Sequence, residues 1–465
     1  MNMKFKKVYT VSKKADKPRL WLQHIVCEAA DFQPGDPLYI RVNEDEEQIL
    51  IQNYDFPDES ADHIIHVAAR RNRVSGKERP LVDTSGERYK FLSIKQKVEI
   101  AVYKKGSKSQ IVIQPLRYSL FTNQTLNTQK DERIRLLSVC AGAGMGTVCM
   151  ADTNSYTPIQ EIELDEDSAE VLIHNFPNST VFNGDMRDCM EIAEVDVALV
   201  TLPCGEFSTL GYQEGNVMND LVLAASKIIK SSKASMLFFE NVPKFYKSDA
   251  WFRLRELLRD EYPFWTTKNI EAWDFGSIAT RNRTYGFACR DNEVFQAFDF
   301  PTAPKIRRRK LKDFLDSSKV NHEWKELDKW MDSFNSREAW RDRDLSRTFV
   351  TKDVNKISCI PARYTAHSAS SSYVLHEDGK RWRFLSIAEI KRILNVPEWF
   401  EFCEHTPKTR QYEMLGQSVD GTVIRAIANK IAYAYTKVKT STKKITNSLT
   451  DSYTINNQGQ LELFL

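Results

Sequence analysis

The chain has 465 residues, of which 42% are apolar and 28% are charged, a composition typical of an ordinary soluble protein with two or three domains. Its net charge of +3 is nearly neutral, so any nucleic-acid surface has to be a local basic patch. No apolar run is long enough to span a bilayer and the first residues lack a signal-peptide core, which predicts a cytoplasmic location. The eight cysteines form no Cys-x-x-Cys pair, so neither a disulfide framework nor a metal site is expected.

Residues 1–117 contain a weak internal duplication, in which each half has a strand, a spacer, and two strands joined by a turn. Each half is too small to bury its apolar face alone, so the halves are predicted to close on each other as a small β-rich barrel. This pattern resembles the swapped-hairpin barrels of AbrB-like and SymE-like bacterial proteins, and two copies in one chain imply a pseudo-dimer. The matching segments are 19–22, 37–42 and 48–52 in the first half, and 79–83, 97–103 and 110–115 in the second.

A basic loop joins the two halves of this region. Its cations are candidates for contacts with nucleic-acid phosphates. A solvated loop between two repeats explains the same composition equally well. The candidate cations are Arg70, Arg71, Arg73 and Lys77.

After a polar, aperiodic linker at 118–132, a second domain of α/β class is predicted over 133–437. Its first strand turns through a glycine-rich loop at 140–146, which lets a backbone approach a ligand closely at the start of a helix. By itself such a loop indicates no more than a tight turn. The next strand, 158–163, ends in an acid suited to the hydroxyls of a ribose, which favours a cofactor site.

An apolar, β-branched run at 196–203 predicts a buried parallel strand, and it delivers a cysteine to the strand end where open α/β sheets place their sites. A lone cysteine in such a place is more often a small buried hydrophobe. Here later strands also end in a Glu-Asn-Val sequence or follow an Arg-x-Arg sequence. The candidate catalytic residues are Cys204, Glu240, Arg281 and Arg283.

In their order along the chain, these elements resemble the cytosine-C5 methyltransferase family, specifically its bacterial and phage DNA-modifying branch. The family's Pro-Cys, Glu-Asn-Val and Arg-x-Arg elements lie between an opening glycine loop and a closing Gly-Gln-Ser-Val segment at 416–419. The resemblance covers about 133–437 and implies a Rossmann-like, S-adenosylmethionine-dependent methyltransferase in a bacterial or phage-infected cell. It implies a cofactor site lined by Cys140, Ala141, Gly142, Gly144, Glu161, Ile162, Asp185, Pro203, Gln417 and Ser418.

The chemistry implied by the resemblance needs a thiolate and a carboxylic acid on one cytosine of double-stranded DNA. Cys204 attacks carbon-6 while Glu240 protonates ring nitrogen 3, and Arg281 and Arg283 favour the thiolate. The target base has to leave the stacked duplex for this to occur.

The sequence departs from the family pattern in two places. Ser138 and Cys140 stand where the family has an aspartate and a phenylalanine, and Ala279 replaces the glutamine that usually precedes Arg-x-Arg. These departures leave open a DNA-binding protein that retains the fold without catalysis. An RNA cytosine-C5 methyltransferase is a second alternative, since a branch with the same fold modifies transfer RNA through the same nucleophile.

The region at about 295–342 occupies the place of the family's target-recognition region and is small for one. It begins with a charged stretch followed by a tryptophan-bearing segment, 324–340. Its candidate nucleic-acid contacts are Arg307, Arg308 and Arg309.

The last segment, 438–465, is polar and is predicted to be a flexible tail. It ends in an apolar cluster that resembles the Gln-Leu-x-Leu-Phe peptide by which bacterial proteins dock on the replicative sliding clamp. A hexamer that folds back on the enzyme's own surface is the alternative. The candidate partner-binding residues are Gln460, Leu461, Leu463 and Phe464.

Overall fold

The structure of the protein is a computed structural model. It describes residues 1–57, 60–71, 76–118, 133–203, 217–317, 319–336, 343–450, 453–455 and 461–463, with the backbone alone for 217–219 and from 441 onward. Among these residues, no helix is both long enough and apolar enough to cross a bilayer.

The N-terminal region forms two halves with the same order of elements, as the duplication predicts. The repeating layout is three strands, a helical turn and a two-stranded hairpin. The elements are β1 (Asn2–Thr10), β2 (Ser12–Lys14), β3 (Lys17–Leu22), α1 (His24–Ala29), β4 (Pro37–Asn43), β5 (Gln48–Gln52), β6 (His63–His66), β7 (Ala68–Arg71), β8 (Glu78–Ser85), β9 (Lys97–Lys105) and β10 (Lys108–Pro115), with a short 3-10 helix (Glu87–Tyr89) at the position of α1 in the second half.

The two halves are intertwined about a pseudo-twofold axis. Equivalent strands pair with each other antiparallel, β3 with β8 and β5 with β10, and Leu50 lies opposite Val112 near the axis. The first strand of each half pairs with the hairpin of the other half, β1 with β9 and β6 with β4. Even the turns before the hairpins match: the Gln33 backbone donates to Asp36, and the Ser93 backbone donates to Gln96. Neither half therefore forms its own sheet without strands from the other.

The second region has the predicted α/β layout with a mainly parallel sheet. The central strands are almost wholly buried, which explains their continuous apolar sequences. Its elements are β11 (Ile134–Val139), α2 (Met145–Ala151), β12 (Tyr156–Glu163), α3 (Glu166–Asn175), β13 (Thr180–Asn183), β14 (Val197–Val200), α4 (Val217–Ser231), β15 (Met236–Asn241), α5 (Asp249–Leu258), β16 (Phe264–Glu271), β17 (Asn282–Cys289) and α6 (Asn292–Ala297).

These strands are ordered β16-β17-β15-β14-β11-β12-β13, and β17 runs antiparallel to both of its neighbours. The parallel strands end at one edge, so the glycine loop after β11, the acidic end of β12, and the ends of β14 and β15 meet there. This Rossmann-like arrangement is the predicted fold class.

The two regions share one sheet. Strand β1 pairs parallel with β13, in a register that places Phe5 beside Val181 and Lys7 beside Asn183. Among the described residues the combined sheet has thirteen strands. One hydrophobic cluster also runs through both regions, so β1 is an internal strand of a single structure.

A smaller sheet lies in the C-terminal part and joins strands from both sides of residue 342. Its strand order is β18-β21-β20-β19, and Trp330, Phe349, Tyr373 and Trp382 pack around it. The structural unit thus continues beyond the recognition region outlined from the sequence, since strands of two or three residues carry no alternating pattern. The elements are β18 (Lys325–Glu326), α7 (Leu327–Asn335), β19 (Phe349–Val350), β20 (Tyr373–Leu375), β21 (Arg381–Arg383), α8 (Ile387–Ile393), α9 (Lys408–Gln417), α10 (Gly421–Thr450), β22 (Tyr453–Ile455) and β23 (Leu461–Leu463).

The C-terminal helix differs from the sequence expectation. Helix α10 continues to Thr450, whereas a flexible tail was predicted from residue 438. The apolar stripe of α10 ends near Ala434, so the pattern that identifies a helix stops while the backbone continues. Beyond it, the β22 backbone pairs antiparallel with β23.

Candidate active site

The glycine loop after β11 is shaped by tight packing on one side and open space on the other. Gly144 has a left-handed φ of 84°, and a Cβ atom there would lie 2.7 Å from Leu172. A Cβ on Gly142, whose φ is 57°, would meet no atom of the described residues within 4 Å. Gly144 therefore lets the loop pack against α3, and Gly142 borders a space that a ligand can enter.

Ser138 and Cys140, two of the residues that depart from the family pattern, lie near the end of β11 and at the start of the glycine loop. The Ser138 hydroxyl lies 2.7 Å from that of Thr147, and both residues are buried. Cys140 is half-buried, and burial raises the pKa of its thiol. Neither change occupies the open side of Gly142.

The acid that faces the loop is Glu163, which corrects the assignment of Glu161. Glu163 accepts a hydrogen bond of 2.7 Å from the Gly142 backbone N–H. Glu161 lies on the same face of β12 but two residues before the strand end, where it is 0% exposed and accepts from the Ser179 hydroxyl. Its burial raises the pKa of the Glu161 carboxyl to about 8. An acid enclosed in this way cannot reach a ribose.

The residue expected beside the adenine also has to be reassigned, again by two positions along the chain. Ile162 is 1% exposed and belongs to the core, whereas Leu164 follows the strand end and is 68% exposed. The sequence contains two acids two residues apart, and only the strand end distinguishes them. Glu163 and Leu164 therefore replace Glu161 and Ile162 as candidates for the cofactor site.

Asp185 lies after β13 on the far side of the loop. Its carboxylate accepts from the backbone N–H of Arg187 at 2.9 Å and from the Arg187 guanidinium. These Arg187 contacts hold the pKa of the Asp185 carboxyl below its usual value, with a weaker contribution from Lys97. Besides burial, Glu163 and Asp185 both raise the pKa of the Cys140 thiol, so both acids lie near the glycine loop.

Glu240 and Arg283 form a buried pair at the end of β15. The Arg283 Nε atom lies 3.1 Å from Oε1 of Glu240. Burial raises the pKa of the Glu240 carboxyl, although Arg283 and Arg281 oppose the shift. Among the described residues Glu240 Oε1 is enclosed and accepts no well-aligned hydrogen bond, so its ion pair with Arg283 is what offsets its burial.

Arg281 contacts the backbone of a neighbouring segment, and its predicted proximity to Cys204 involves a residue outside the described ones. Its side chain is almost fully buried, and its guanidinium donates to the carbonyl oxygens of Gly416 and Ser418. It therefore holds the segment between α9 and α10 against β17. Within that segment Gln417 is exposed, and the Ser418 hydroxyl donates to the Leu415 carbonyl at 2.6 Å.

Cys204 lies outside the described residues, but the strand that leads to it is described. The Thr201 hydroxyl donates to the Cys140 carbonyl at 2.8 Å, next to the glycine loop. The Asn241 side chain donates to the Leu202 carbonyl at 2.9 Å, next to Glu240. The exposed Pro203 therefore leaves the sheet between the glycine loop and the Glu240–Arg283 pair.

The predicted nucleic-acid residues of the N-terminal region lie on β7 and the loop after it, of which Arg73 is outside the described residues. Arg70 and Arg71 are exposed, and Arg71 donates to the Gly76 carbonyl at 3.1 Å. Lys77 forms an ion pair of 2.6 Å with Glu404. Part of this basic loop thus contacts the C-terminal region.

The three arginines of the recognition region also differ from one another. The Arg308 guanidinium stacks on Trp273 at 3.6 Å and is half-buried. Arg309 lies over Phe314 at 4.2 Å but stays exposed, as does Arg307. Because the Arg308 guanidinium packs on Trp273, it is less available than Arg307 or Arg309 for the predicted phosphate contact.

Side chains of metal-binding type meet between the two regions, where none were expected. Donor atoms of Glu170, Cys403 and His405 lie within 4.8 Å of one another. The Glu170 carboxylate already receives contacts from His24 and His405, and from Arg79 at 3.1 Å. These protein contacts satisfy the carboxylate and join α1 and β8 to α3.

Comparison with known proteins agrees with this geometry. The sequence profile of the family described as C-5 cytosine-specific DNA methylase matches residues 134–433. The type II methyltransferase M.SsoII of Shigella sonnei is 25% identical over 315 residues, covering 65% of this chain and 81% of that protein. The type II methyltransferase M.Bsp6I of Bacillus sp. (strain RFL6) is 25% identical over 318 residues, covering 64% and 98%.

Two solved structures share the fold. The Entamoeba histolytica methyltransferase EhMeth superposes with a TM-score of 0.51 at 16% identity, covering 65% of this chain and 98% of that one. The S. pombe Dnmt2 methyltransferase gives 0.51 at 16% identity, covering 66% and 99%. The family match spans well over half of the chain and includes the glycine loop, Glu240 and Arg283. The chain belongs to the C-5 cytosine-specific DNA methylase family.

Proposed function

We propose that the protein transfers a methyl group from S-adenosylmethionine to carbon-5 of cytosine in double-stranded DNA, with Cys204 as the nucleophile. The observation that carries the proposal is the buried Glu240–Arg283 pair beside the end of the strand that leads to Cys204. The matched family consists of DNA methylases, so the alternative of an RNA substrate is not favoured.

In the proposed reaction each residue has one task. The Cys204 thiolate adds to carbon-6 of a flipped cytosine, and Glu240 protonates ring nitrogen 3. Burial raises the pKa of the Glu240 carboxyl, which is the direction that favours a proton donor. Arg283 contacts Glu240 and orients it. Arg281 holds the segment 416–418 through the backbone carbonyls of Gly416 and Ser418. Carbon-5, made nucleophilic by this addition, would take the methyl group of S-adenosylmethionine. Loss of the carbon-5 proton and expulsion of the Cys204 thiolate then re-form the ring double bond, and ring nitrogen 3 returns its proton to Glu240.

We propose that the cofactor occupies the open side of Gly142. Glu163 contacts this loop directly, Asp185 acts on the Cys140 thiol beside it, and the exposed Leu164 offers an apolar surface to an adenine. Cys140, Ala141, Gly144, Pro203, Gln417 and Ser418 remain candidates for the same cofactor site. When bound, S-adenosylmethionine supplies the electrophilic methyl group.

The experiment that tests the activity combines methylation with covalent trapping. DNA from cells that express the wild type is expected to carry 5-methylcytosine by bisulfite sequencing, and Cys204→Ser is expected to abolish it. DNA with 5-fluorocytosine at the methylated site should crosslink to the wild type and not to Cys204→Ser. Cys289→Ser is the matched control, because serine can keep the bond of Cys289 to the Asp291 carbonyl. Equal crosslinking of wild type and Cys204→Ser would contradict the assignment.

We further propose that residues 1–117 form an AbrB/SymE-like DNA-binding domain, joined by a linker at 118–132 to the catalytic domain at 133–437. The intertwined halves and the exposed Arg70 and Arg71 support this proposal. A pseudo-twofold domain suits a duplex, whose two strands are themselves related by twofold axes.

For the tail we propose a bacterial sliding clamp as partner. Residues 460–464 follow the end of α10, and the side chains of this motif lie outside the described residues. A fluorescent peptide of residues 456–465 is expected to bind purified clamp with a micromolar dissociation constant, about 8 kcal/mol. The control peptide with Leu463→Ala and Phe464→Ala should not bind. Absence of binding by the native peptide and by the full-length protein contradicts the proposal.

A further inference from the structure

The proposed cofactor site rests on the N-terminal region on two sides. In a methyltransferase sheet that began at β11, β13 would be an edge strand. Here β1 covers that edge, with Lys7 beside Asn183, the last residue of β13. Elements outside the matched family segment therefore adjoin the strand end that carries Asp185.

The first side is the segment of Glu163 and Leu164. The Asn183 side chain donates to the carbonyl oxygens of both residues, at 3.2 and 3.1 Å. Lys7, which lies beside Asn183 in the sheet, extends to α3 and pairs with Glu166 at 2.7 Å. Strand β1 therefore positions Asn183, which holds the Glu163–Leu164 segment, and also the first turn of α3, which follows that segment.

The second side is the turn Asp185–Asp188. A Cβ atom on Gly184 would lie 3.7 Å from that of Val8, so β1 packs directly under the start of the turn. At its end, the Asp188 carboxylate accepts from Lys97 Nζ at 2.6 Å and from the Tyr118 hydroxyl at 3.0 Å. The backbone N–H of Asp188 donates to the Asp185 carbonyl at 2.8 Å, so a movement of Asp188 moves Asp185.

We infer that the N-terminal region is a built-in part of the cofactor site, and that Lys97, acting through Asp188, is a positioning residue for Asp185. This inference rests on the proposed function, because it assumes that Asp185 contacts the cofactor. It assigns a task in the methyl transfer to a region that the family segment does not include.

The cost of removing the Lys97 charge depends on Asp188, the buried partner in this ion pair. The Lys97 side chain is 48% exposed, and an exposed ion pair on its own is worth little. The Asp188 side chain is only 8% exposed, so a carboxylate deprived of its ammonium there is poorly solvated. The turn is then expected to shift until Asp188 reaches water, which displaces Asp185.

The test compares cofactor affinity in full-length variants. Lys97→Met keeps the aliphatic stem and removes the charge, and Lys90→Met changes an exposed lysine of the same region as the matched control. Isothermal titration with S-adenosylmethionine is expected to show Kd raised about fivefold or more in Lys97→Met and within about twofold of wild type in Lys90→Met. Lys97→Arg should restore most of the affinity.

Steady-state kinetics separates positioning from a general loss of structure. In Lys97→Met the KM for S-adenosylmethionine should rise as Kd does, while kcat at saturating cofactor stays within about twofold of wild type. Tyr118→Phe removes the second donor from an exposed side chain and should give a smaller rise in Kd, which serves as the readout if Lys97→Met folds poorly.

The outcomes separate the inference from the proposed function. If the wild type binds S-adenosylmethionine and both Lys97→Met and Tyr118→Phe bind it equally well, the inference is overturned and the proposed function stands. If the wild type does not bind S-adenosylmethionine at all, both are overturned.

Discussion

Glu240 and Arg283 meet diagonally across the antiparallel β15–β17 pair, with Arg283 Nε 3.1 Å from Glu240 Oε1. An arginine at this distance ordinarily lowers the pKa of a carboxyl, yet here the desolvation of Glu240 is larger and its pKa is raised. The pair thus combines a group that can still carry a proton with a cation that fixes its orientation. A general acid requires both properties.

Glu240→Gln is expected to change activity and stability in opposite directions. The amide cannot deliver a proton, so kcat should fall by about 10² to 10⁴-fold. Burial raises the pKa of Glu240 in the folded state above its pKa in the unfolded state. Ionisation of Glu240 therefore destabilises the fold once the pH exceeds the unfolded-state pKa. The variant should therefore match or exceed the wild type in melting temperature at pH 8 and lose that advantage at pH 5. A melting temperature well below wild type at pH 8 would show that the ion pair stabilises the fold.

The two acids of β12 provide a second prediction. Glu163→Ala should weaken S-adenosylmethionine binding by about tenfold or more, because the Gly142 N–H and the ligand lose a charged acceptor. Glu161→Gln should leave that affinity unchanged, since Glu161 is enclosed with Ser179. Titration of both variants checks the reassignment, and the reverse order of effects would restore Glu161 as the ribose ligand.

The same variant tests a pH dependence. The pKa of Glu161 is about 8 in the folded state, above its unfolded value, so the folded state binds the extra proton and wild-type stability falls as pH rises towards 8. Glu161→Gln removes this dependence. Its unfolding free energy should exceed that of wild type by about 4 kcal/mol at pH 8, with little difference at pH 4. Denaturant titration at the two pH values measures it.

Some residues of the candidate site can be predicted from the sequence, and others cannot. Glu240, Arg283 and the glycine loop carry side-chain identities in a fixed order, and the structure places them where that order indicates. Glu161 and Glu163 share one face of a strand, so alternation cannot distinguish them and only the strand end decides. The β1–β13 pairing joins segments about 175 residues apart and has no local sequence signal, which is why the contact of Lys97 with Asp188 was not anticipated.

The contact of Glu170 with two histidines gives a third prediction. Among the causes that act on Glu170, burial opposes ionisation, but His24, His405 and Arg79 together hold the pKa of its carboxyl well below the usual range. A depressed folded pKa stabilises the fold above the unfolded pKa of about 4.5 and loses that contribution as pH falls below it. Glu170→Gln should therefore cost about 1 to 3 kcal/mol at pH 7 and progressively less below pH 4.5. A cost that is equal at pH 7 and pH 3.5 would exclude an ionic contact.

The last prediction concerns DNA binding by the N-terminal region. Deletion of residues 1–117 is a poor test, because it removes β1 from β13, exposes a strand edge and takes away Lys7 and Lys97. Point changes on the exposed face of β7 avoid this damage. Each phosphate contact contributes about 0.9 to the slope of log K against log salt, so Arg70→Gln with Arg71→Gln should reduce the slope by up to about 2.

Lys90→Met is again the control for that measurement, since it removes one positive charge from the same region away from β7. The affinity for S-adenosylmethionine should be the same in all of these proteins, because among the described residues Arg70 and Arg71 make no contact with Glu163, Asp185 or the glycine loop. If the double variant keeps the wild-type salt slope, β7 does not contact the DNA backbone. The part that the pseudo-twofold region plays in methylation would then rest on β1 and Lys97, which support the cofactor site.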